Sequence, residues 1–400
     1  MRFSRSSREN KPNQSSLQWH GFKVCYFSGC SGKPAVTKHR MNPELASFAT
    51  RLRETISRRE SAFGWDFDSL ALELFALQFQ HNPAYRRVVE SRNLASSRVE
   101  HWTQIPAVPT AAFKELEFSS LAPAERTAVF HSSGTTEQKP SRHFHCPESL
   151  AVYETALWNW FKPNFLGSMT GNQAAEWLFL TPPPSQAPHS SLIHMFEIIR
   201  QKMGAQSSAF AGHLDVAGAW MLDYDKVLSI LEDSSKLKLI LGTAFSFVQL
   251  LDYLAANQLR FELPSGSRIM ETGGYKNRSR SLPKTELHAF ITDRLGVGRE
   301  NIICEYGMSE LSSQAYDSVD GGNGRPFQFP PWARAQIISP ETGREVAEGE
   351  TGLIRILDLA NVFSVAAIQT EDLGVRRGNG FELIGRAAAA EARGCSLMTT

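Results

Sequence analysis

The stretch HSSGTTEQKPSRH, residues 131–143, combines residue types that suit phosphate binding. Backbone N–H groups and hydroxyls of a Ser/Gly/Thr loop that follows a strand wrap around phosphate oxygens, and nearby basic side chains add positive charge. The stretch lacks the Gly-Lys-Ser/Thr ending of a Walker A loop. On composition alone, a polar surface loop remains the alternative. The predicted phosphate contacts are Ser132, Ser133, Gly134, Thr135, Thr136, Lys139 and Arg142.

Four later stretches follow this loop in a fixed order: ETGGYK (271–276), EYGMSE (305–310), TEDLG (370–374) and the pair Gly385-Arg386. With the first loop, the set resembles the adenylate-forming enzymes, the superfamily of acyl-CoA synthetases, luciferases and peptide-synthetase adenylation domains. The roles that this resemblance implies for the second stretch fit the residue chemistry, because the flat ring of Tyr306 suits a purine and the hard carboxylate of Glu310 suits magnesium beside phosphate. Glu137 stands where that superfamily usually has Gly, and Lys139 precedes Pro140 where it usually follows Pro.

The resemblance implies roles for individual residues in binding ATP and Mg²⁺. Tyr306 stacks on adenine, the Ser309 hydroxyl approaches the α-phosphate, Thr135 and Glu310 lie near the metal, and Asp372 binds the ribose. The Gly-Gly turn with Tyr275 lies along the adenine and the acyl-adenylate. The remaining ATP-binding positions that it implies are Gly273, Gly274, Gly307, Met308 and Arg386.

The tail of the chain, GRAAAAEARGCSLMTT, carries the last cysteine, Cys395. Taken alone, this thiol is a spare residue on a terminal segment, and such segments are usually reachable. The SSGTT, EYGMSELSSQ and RGCSL stretches resemble the acyl-protein synthetases of bacterial luminescence, the LuxE family. That resemblance implies that Cys395 accepts the acyl group from acyl-AMP as a thioester and that an acyl reductase is the partner. It also implies that the usual C-terminal lid with its lysine is absent, because few residues follow Arg386.

Two histidines, His189 and His194, lie before or within a predicted helix, in a region where related enzymes line the carboxylate site. They are therefore candidate substrate contacts, with packing or helix capping as the equal alternative. Cys146 and Cys304 lie at or in apolar stretches and are predicted to be buried small hydrophobic residues.

The order of elements predicts the scaffold for these loops. Helical periodicity covers residues 43–89, with Asp66 and Asp68 as candidate caps. Short apolar runs then alternate with helical stretches at 190–205, 224–236, 245–258 and 282–296, which predicts an α/β fold with a largely parallel sheet and functional loops at the carboxyl ends of its strands. After Gly324 short strands and glycine turns predict a β subdomain. The fold class is thus the large α/β domain of an adenylate-forming enzyme with a β subdomain and without the C-terminal lid.

Composition sets the broad class. The 400 residues carry 42 Lys and Arg against 41 Asp and Glu, so no overall charge indicates nucleic acid or an anionic membrane as a partner. No apolar stretch is long enough for a membrane span, and five scattered cysteines do not form a disulfide framework, so we expect a cytoplasmic protein. Cys25 and Cys30 have no second pair that would complete a zinc site. We predict a disordered extension at 1–40, the adenylate-forming domain at 41–386 and a short tail at 387–400.

The expected reaction is ATP-dependent activation of a carboxylic acid, which we expect to be a fatty acid, followed by transfer to Cys395. Two rivals remain: a compact ligase that transfers the acyl group to coenzyme A, and a nucleotide-binding partner without catalysis, which Glu137 in the phosphate loop suggests. A cysteine hydrolase is disfavoured because no histidine base is placed beside Cys395.

Overall fold

The computed structural model describes residues 41–58, 65–92, 98–132, 139–167, 169, 175–204, 208–274, 280–317 and 326–387. All of them belong to one compact unit, His39–Thr400. Four predictions fall outside these ranges: the extension at 1–40, the phosphate-loop positions 133–136, Tyr275, and the tail with Cys395.

The predicted N-terminal helical layer is present as three helices, α1 (Pro43–Ser57), α2 (Phe67–His81) and α3 (Pro83–Ser91). The Asp66 side chain accepts a hydrogen bond from the Ser69 backbone N–H, so Asp66 is the N-cap of α2 as predicted. Asp68 lies in the first turn instead, where its charge favours the positive end of the helix dipole.

The other helices of the described residues lie between and beside strands. They are α4 (Ala112–Glu115), α5 (Pro147–Phe161), α6 (Ser191–Lys202), α7 (Tyr224–Glu232), α8 (Ala244–Ala256) and α9 (Lys284–Leu295). The four helical stretches predicted after residue 190 correspond to α6–α9. None of the helices that the structure describes combines the length and apolar character needed to cross a membrane.

The strands fall into one large sheet and two small hairpins. They are β1 (Val108–Pro109), β2 (Ala128–His131), β3 (Arg142–His145), β4 (Ala175–Phe179), β5 (Ser208–Phe210), β6 (Gly212–Leu214), β7 (Trp220–Leu222), β8 (Leu237–Thr243), β9 (Arg268–Thr272), β10 (Ile302–Tyr306), β11 (Ala315–Asp317), β12 (Phe327–Gln328), β13 (Ala333–Ile338), β14 (Thr351–Asp358), β15 (Ala367–Arg377) and β16 (Gly380–Arg386). β2 pairs with β3, and β6 pairs with β7.

The large sheet has the order β13-β14-β15-β16-β12-β11-β10-β9-β8-β4-β5, with β1 added beside β15. The run from β5 to β10 is parallel, as predicted, and the pairs from β10 through to β13 are antiparallel. The strands expected to form a β subdomain therefore continue the parallel sheet by hydrogen bonds. The prediction that short strands dominate after Gly324 is confirmed.

The strand order brings predicted motifs together. β9 and β10 are parallel neighbours, with Thr272 opposite Glu305, so the turn at Gly273 and Gly274 and the segment after Tyr306 begin at the same edge of the sheet. β8, which is buried along its whole length, and β9 pack under α8 and α9 to form one apolar cluster. An aromatic cluster around Phe161, Trp177 and Phe179 fills the opposite side of the parallel strands. Buried layers on both faces are what hold a parallel sheet rigid.

Candidate active site

The phosphate loop is anchored at both ends by the hairpin of β2 and β3. His131 pairs with Arg142 across this hairpin. The Ser132 Oγ atom accepts a hydrogen bond of 3.0 Å from the Ser141 backbone N–H. The residues between Ser132 and Lys139 lie outside the described ranges, so the hairpin fixes only where that loop begins and ends.

The segment after β10 is bonded directly to this hairpin. The Ser309 hydroxyl donates to the His131 carbonyl oxygen at 2.9 Å, and the Ser309 carbonyl oxygen accepts from His143 Nδ1 at 2.9 Å. Because a carbonyl oxygen only accepts, this contact places the His143 proton on Nδ1. Burial lowers the pKa of His143 to about 4, so the ring is neutral near pH 7. Two predicted motifs that are far apart in sequence are therefore adjacent in the fold.

Tyr306, Asp372 and Arg386 form a second connection. The Tyr306 hydroxyl donates to Asp372 Oδ2 at 2.8 Å, and Arg386 Nε lies 3.7 Å from Asp372 Oδ1. Asp372 and Arg386 are cross-strand neighbours on β15 and β16. Gly385, the residue before Arg386, has a φ of 146°, a conformation that residues with a side chain rarely adopt. The predicted ribose residue and the predicted hinge arginine are thus one ion pair.

The Tyr306 ring is buried with aromatic neighbours rather than open to solvent. Its centroid lies 5.2 Å from that of Phe381 in an edge-to-face arrangement and 6.0 Å from that of Phe327. Burial raises the pKa of Asp372, whereas the bond from Tyr306 and the charge of Arg386 act in the opposite direction. The tyrosine therefore both fixes the carboxylate and favours its ionised form.

Glu310 is the described half of the predicted metal pair. Its side chain is buried, and burial raises the pKa of its carboxyl; the Ser141 hydroxyl and then the charges of Arg386 and Lys114 lower it. A carboxylate that is withdrawn from water and placed beside the phosphate loop is a hard oxygen donor of the kind that Mg²⁺ takes. The donor chemistry of Glu310 fits magnesium, and Thr135 lies outside the described residues.

The Gly-Gly turn follows β9 at the same edge. Gly273 has a φ of 68°, and neither Gly273 nor Gly274 has another described atom within 4 Å of the place where a Cβ would stand. Just before the turn, Thr272 donates a hydrogen bond to the buried Glu305 carboxyl, whose pKa burial raises to about 7. The turn therefore presents bare backbone, which suits a flat ligand.

The two basic residues of the loop are paired with carboxylates. Arg142 Nη1 lies 2.8 Å from Glu117 Oε1, and Arg126 holds the other oxygen of Glu117 at 2.7 Å. These contacts lower the pKa of Glu117, and the hydrogen bond from Arg126 has the largest effect. Lys139 Nζ lies 3.9 Å from Glu115, and both side chains are exposed. Lys139 is thus the less constrained of the two candidates for a phosphate contact.

His189 and His194 both pack against β2, the strand that leads to the phosphate loop. His189 Nδ1 donates to the Val129 carbonyl oxygen at 3.2 Å, and its ring lies 4.8 Å from the His131 ring. The His194 ring, on α6, lies 5.2 Å from the Phe130 ring. Both positions agree with the packing alternative, and both leave the histidines close to the base of the loop.

Three supporting residues carried no sequence signal that assigned them a role. His143 and Ser141 lie in the quoted loop, but His143 was not expected to bond to Ser309, nor Ser141 to lower the pKa of Glu310. Asp358 lies in no motif, yet its carboxylate accepts bonds from the backbone N–H groups of Ser312 and Ser313 at 3.0 and 2.8 Å. Burial raises the pKa of Asp358 to about 6. Only contact across the fold reveals these residues.

Comparison with known proteins agrees with this arrangement. The family described as "Acyl-protein synthetase, LuxE" matches residues 217–400, a segment that contains all four later motifs. The long-chain-fatty-acid–luciferin-component ligase of Aliivibrio fischeri is 23% identical over 348 residues, which is 82% of this chain and 86% of that protein. The corresponding ligase of Vibrio harveyi is 21% identical over 332 residues, 81% of this chain and 84% of that protein.

The chain is thus similar to the LuxE acyl-protein synthetases, by the family model over residues 217–400 and by both ligases over most of its length. The ion pair of Asp372 with Arg386, the Ser309 contacts and the buried Glu310 all lie in the matched region or bond to it. The family predicted from the motifs is confirmed.

Solved structures show the fold of this chain. 2-Hydroxyisobutyryl-CoA ligase in the postadenylation state, in complex with 2-HIB-AMP, has a TM-score of 0.58 at 13% identity, over 86% of this chain and 67% of that protein. An open conformation of the same ligase in complex with 2-HIB-AMP and CoA has a TM-score of 0.56 at 12% identity, over 85% of this chain and 69% of that protein. The fold is that of the adenylate-forming enzymes, as predicted.

Proposed function

We propose that this chain is an AMP-forming acyl-protein synthetase that uses ATP to activate a long-chain fatty acid as acyl-AMP and then transfers the acyl group to its own Cys395. The match to the LuxE family model over residues 217–400 supports the activation step, and the two curated relatives are named as long-chain-fatty-acid ligases. The observation that carries the proposal is the meeting of the motifs at one sheet edge, where Ser309 is bonded to the base of the phosphate loop and Tyr306 to Asp372.

In the first half-reaction, a carboxylate oxygen of the fatty acid attacks the α-phosphorus of ATP, and pyrophosphate leaves. The chain contributes position and charge: Ser132, Ser133, Gly134, Thr135 and Thr136 surround the phosphates, and Asp372 holds the ribose hydroxyls. Glu310 and Thr135 would hold Mg²⁺, which would neutralise phosphate charge.

In the second half-reaction, the Cys395 thiolate attacks the acyl carbonyl carbon, the C–O bond to the phosphate breaks, and AMP leaves. The thiol proton passes to solvent, and the energy of the mixed anhydride is kept as a thioester. By analogy with the LuxE family, which the motifs resemble, the partner that accepts the acyl group is an acyl reductase.

The test is the intact mass of the protein after incubation with Mg-ATP and saturated fatty acids of graded length. We expect one acyl increment per chain that requires ATP, that hydroxylamine removes, and that disappears in Cys395→Ala. Cys146→Ala is the matched control, because burial raises the pKa of that thiol and makes it a poor nucleophile. It should acylate as fast as the parent chain.

Other outcomes separate the rivals. AMP release with an unmodified chain would overturn the transfer to Cys395 and favour coenzyme A or another small acceptor. No pyrophosphate exchange with any acid would overturn activation itself and leave a nucleotide-binding protein.

A further inference from the structure

We propose that Glu271, His288 and Cys304 form a binding site for a transition-metal ion of the zinc type, separate from the magnesium position at Glu310. The site lies between β9, β10 and α9, which contribute one residue each. The inference goes beyond the proposed function, because neither half-reaction uses these three residues.

The three potential ligand atoms converge. Cys304 Sγ lies 3.0 Å from Glu271 Oε2 and 3.5 Å from His288 Nε2, and His288 Nε2 lies 3.4 Å from Glu271 Oε2. In a tetrahedral zinc site with ordinary bond lengths, ligand atoms are about 3.4–3.6 Å apart. Two of the three separations already have that size, and the third needs an increase of roughly half an ångström.

The donor set suits zinc or cobalt rather than magnesium. Thiolate and imidazole are ligands for Zn²⁺, Co²⁺ and related ions, whereas Mg²⁺ takes oxygen. Cys304 and His288 are buried and the Glu271 side chain is 12% exposed, so Glu271 is the member of the group that solvent, and with it a fourth water ligand, can reach. His288 turns its Nε2 atom toward both other residues.

Charge supports the same conclusion. Lys284 Nζ lies 2.9 Å from Asp317 Oδ2 beside Cys304, and Asp317 also accepts from the Cys304 backbone N–H. Around the neutral Cys304 thiol, the carboxylates of Glu271 and Asp317 and the half-exposed Lys284 ammonium carry one net negative charge. A divalent cation that displaces the thiol proton brings the cluster to neutrality, and the Lys284 ammonium stabilises the thiolate.

The cluster lies beneath the motifs. Glu271 is two residues before Gly273, and Cys304 is two residues before Tyr306. An ion that ties β9, β10 and α9 together would hold the origins of both segments in place.

The experiment uses the full chain with Cys25, Cys30 and Cys395 replaced by Ser, so that Cys146 and Cys304 are the remaining thiols. Metal-free protein is titrated with Co²⁺, and thiolate-to-cobalt absorption is recorded. We expect one Co²⁺ per chain with this absorption, displaced by Zn²⁺, and weaker binding as pH falls because the thiol must lose its proton.

Cys304→Ser should abolish the absorption, and Glu271→Gln should keep the fold while weakening Co²⁺ binding more than about tenfold. Cys146→Ser, the control for a buried thiol elsewhere, should leave both unchanged. No stoichiometric Co²⁺ binding would overturn the proposal, as would absorption that survives in Cys304→Ser. If Cys304→Ser does not fold by circular dichroism, the Glu271→Gln affinity decides.

Discussion

Removal of the Tyr306 hydroxyl tests whether the tyrosine fixes the proposed ribose residue. The bond from Tyr306 to Asp372 is 2.8 Å long and its acceptor is a carboxylate. Hydrogen bonds to charged groups contribute about 1.5–3 kcal/mol. Because the Asp372 side chain is 19% exposed, water replaces part of the lost bond, and we expect Tyr306→Phe to lower the free energy of unfolding by about 1.5–2 kcal/mol.

The assay is equilibrium unfolding in urea of Tyr306→Phe, Asp372→Asn and the double variant. The coupling energy between the two sites should be about 1 kcal/mol or more, because the residues are in contact. The bond favours the ionised carboxylate, so the loss in Tyr306→Phe should be largest near pH 7 and shrink as acid protonates Asp372.

Tyr85→Phe is the matched control. The buried Tyr85 hydroxyl also donates over 2.8 Å, but to the neutral Pro106 carbonyl oxygen. Its loss should therefore not vary as acid protonates Asp372. A coupling energy near zero, or equal pH dependence in the two Tyr→Phe variants, would refute the argument.

Three further predictions concern buried side chains that can carry a charge. Burial depresses the pKa of His143 to about 4. The neutral ring therefore contributes stability that is complete above about pH 6.5 and is lost as the pH falls toward 4. In urea unfolding, His143→Asn should make the free energy of unfolding vary less with pH over that range. The pKa of Glu305 is raised to about 7, so its ionised form is unfavourable, and Glu305→Gln should stabilise the protein more at pH 8 than at pH 5 in thermal unfolding. The fully buried Lys238 ammonium lies 2.8 Å from Glu176, and Lys238→Ala should lower the free energy of unfolding by about 3 kcal/mol. Arg51→Ala, which breaks an exposed ion pair, is the control and should lower it by less than about 1 kcal/mol in the same urea assay.

The sequence alone determined the local elements and the family. Helical periodicity with the Asp66 cap placed α2, and the run of apolar segments with glycine turns predicted a parallel sheet whose motifs lie at the strand ends. These features depend on residues that are neighbours in the chain, and their geometry follows from local propensity and period. The motif order was sufficient for the LuxE family because each motif is short and contiguous.

Only the tertiary structure decided which side chains meet. Tyr306 and Asp372 are 66 residues apart, and their bond depends on how β10 and β15 lie in the sheet. Arg142, predicted to contact phosphate, is paired with Glu117 from a segment that no motif indicated. Such contacts follow from strand order and packing between distant segments, because a side chain's partner is set by three-dimensional proximity and not by spacing along the chain. For the same reason, two parallel strands and a helix were needed to bring His288 to Cys304.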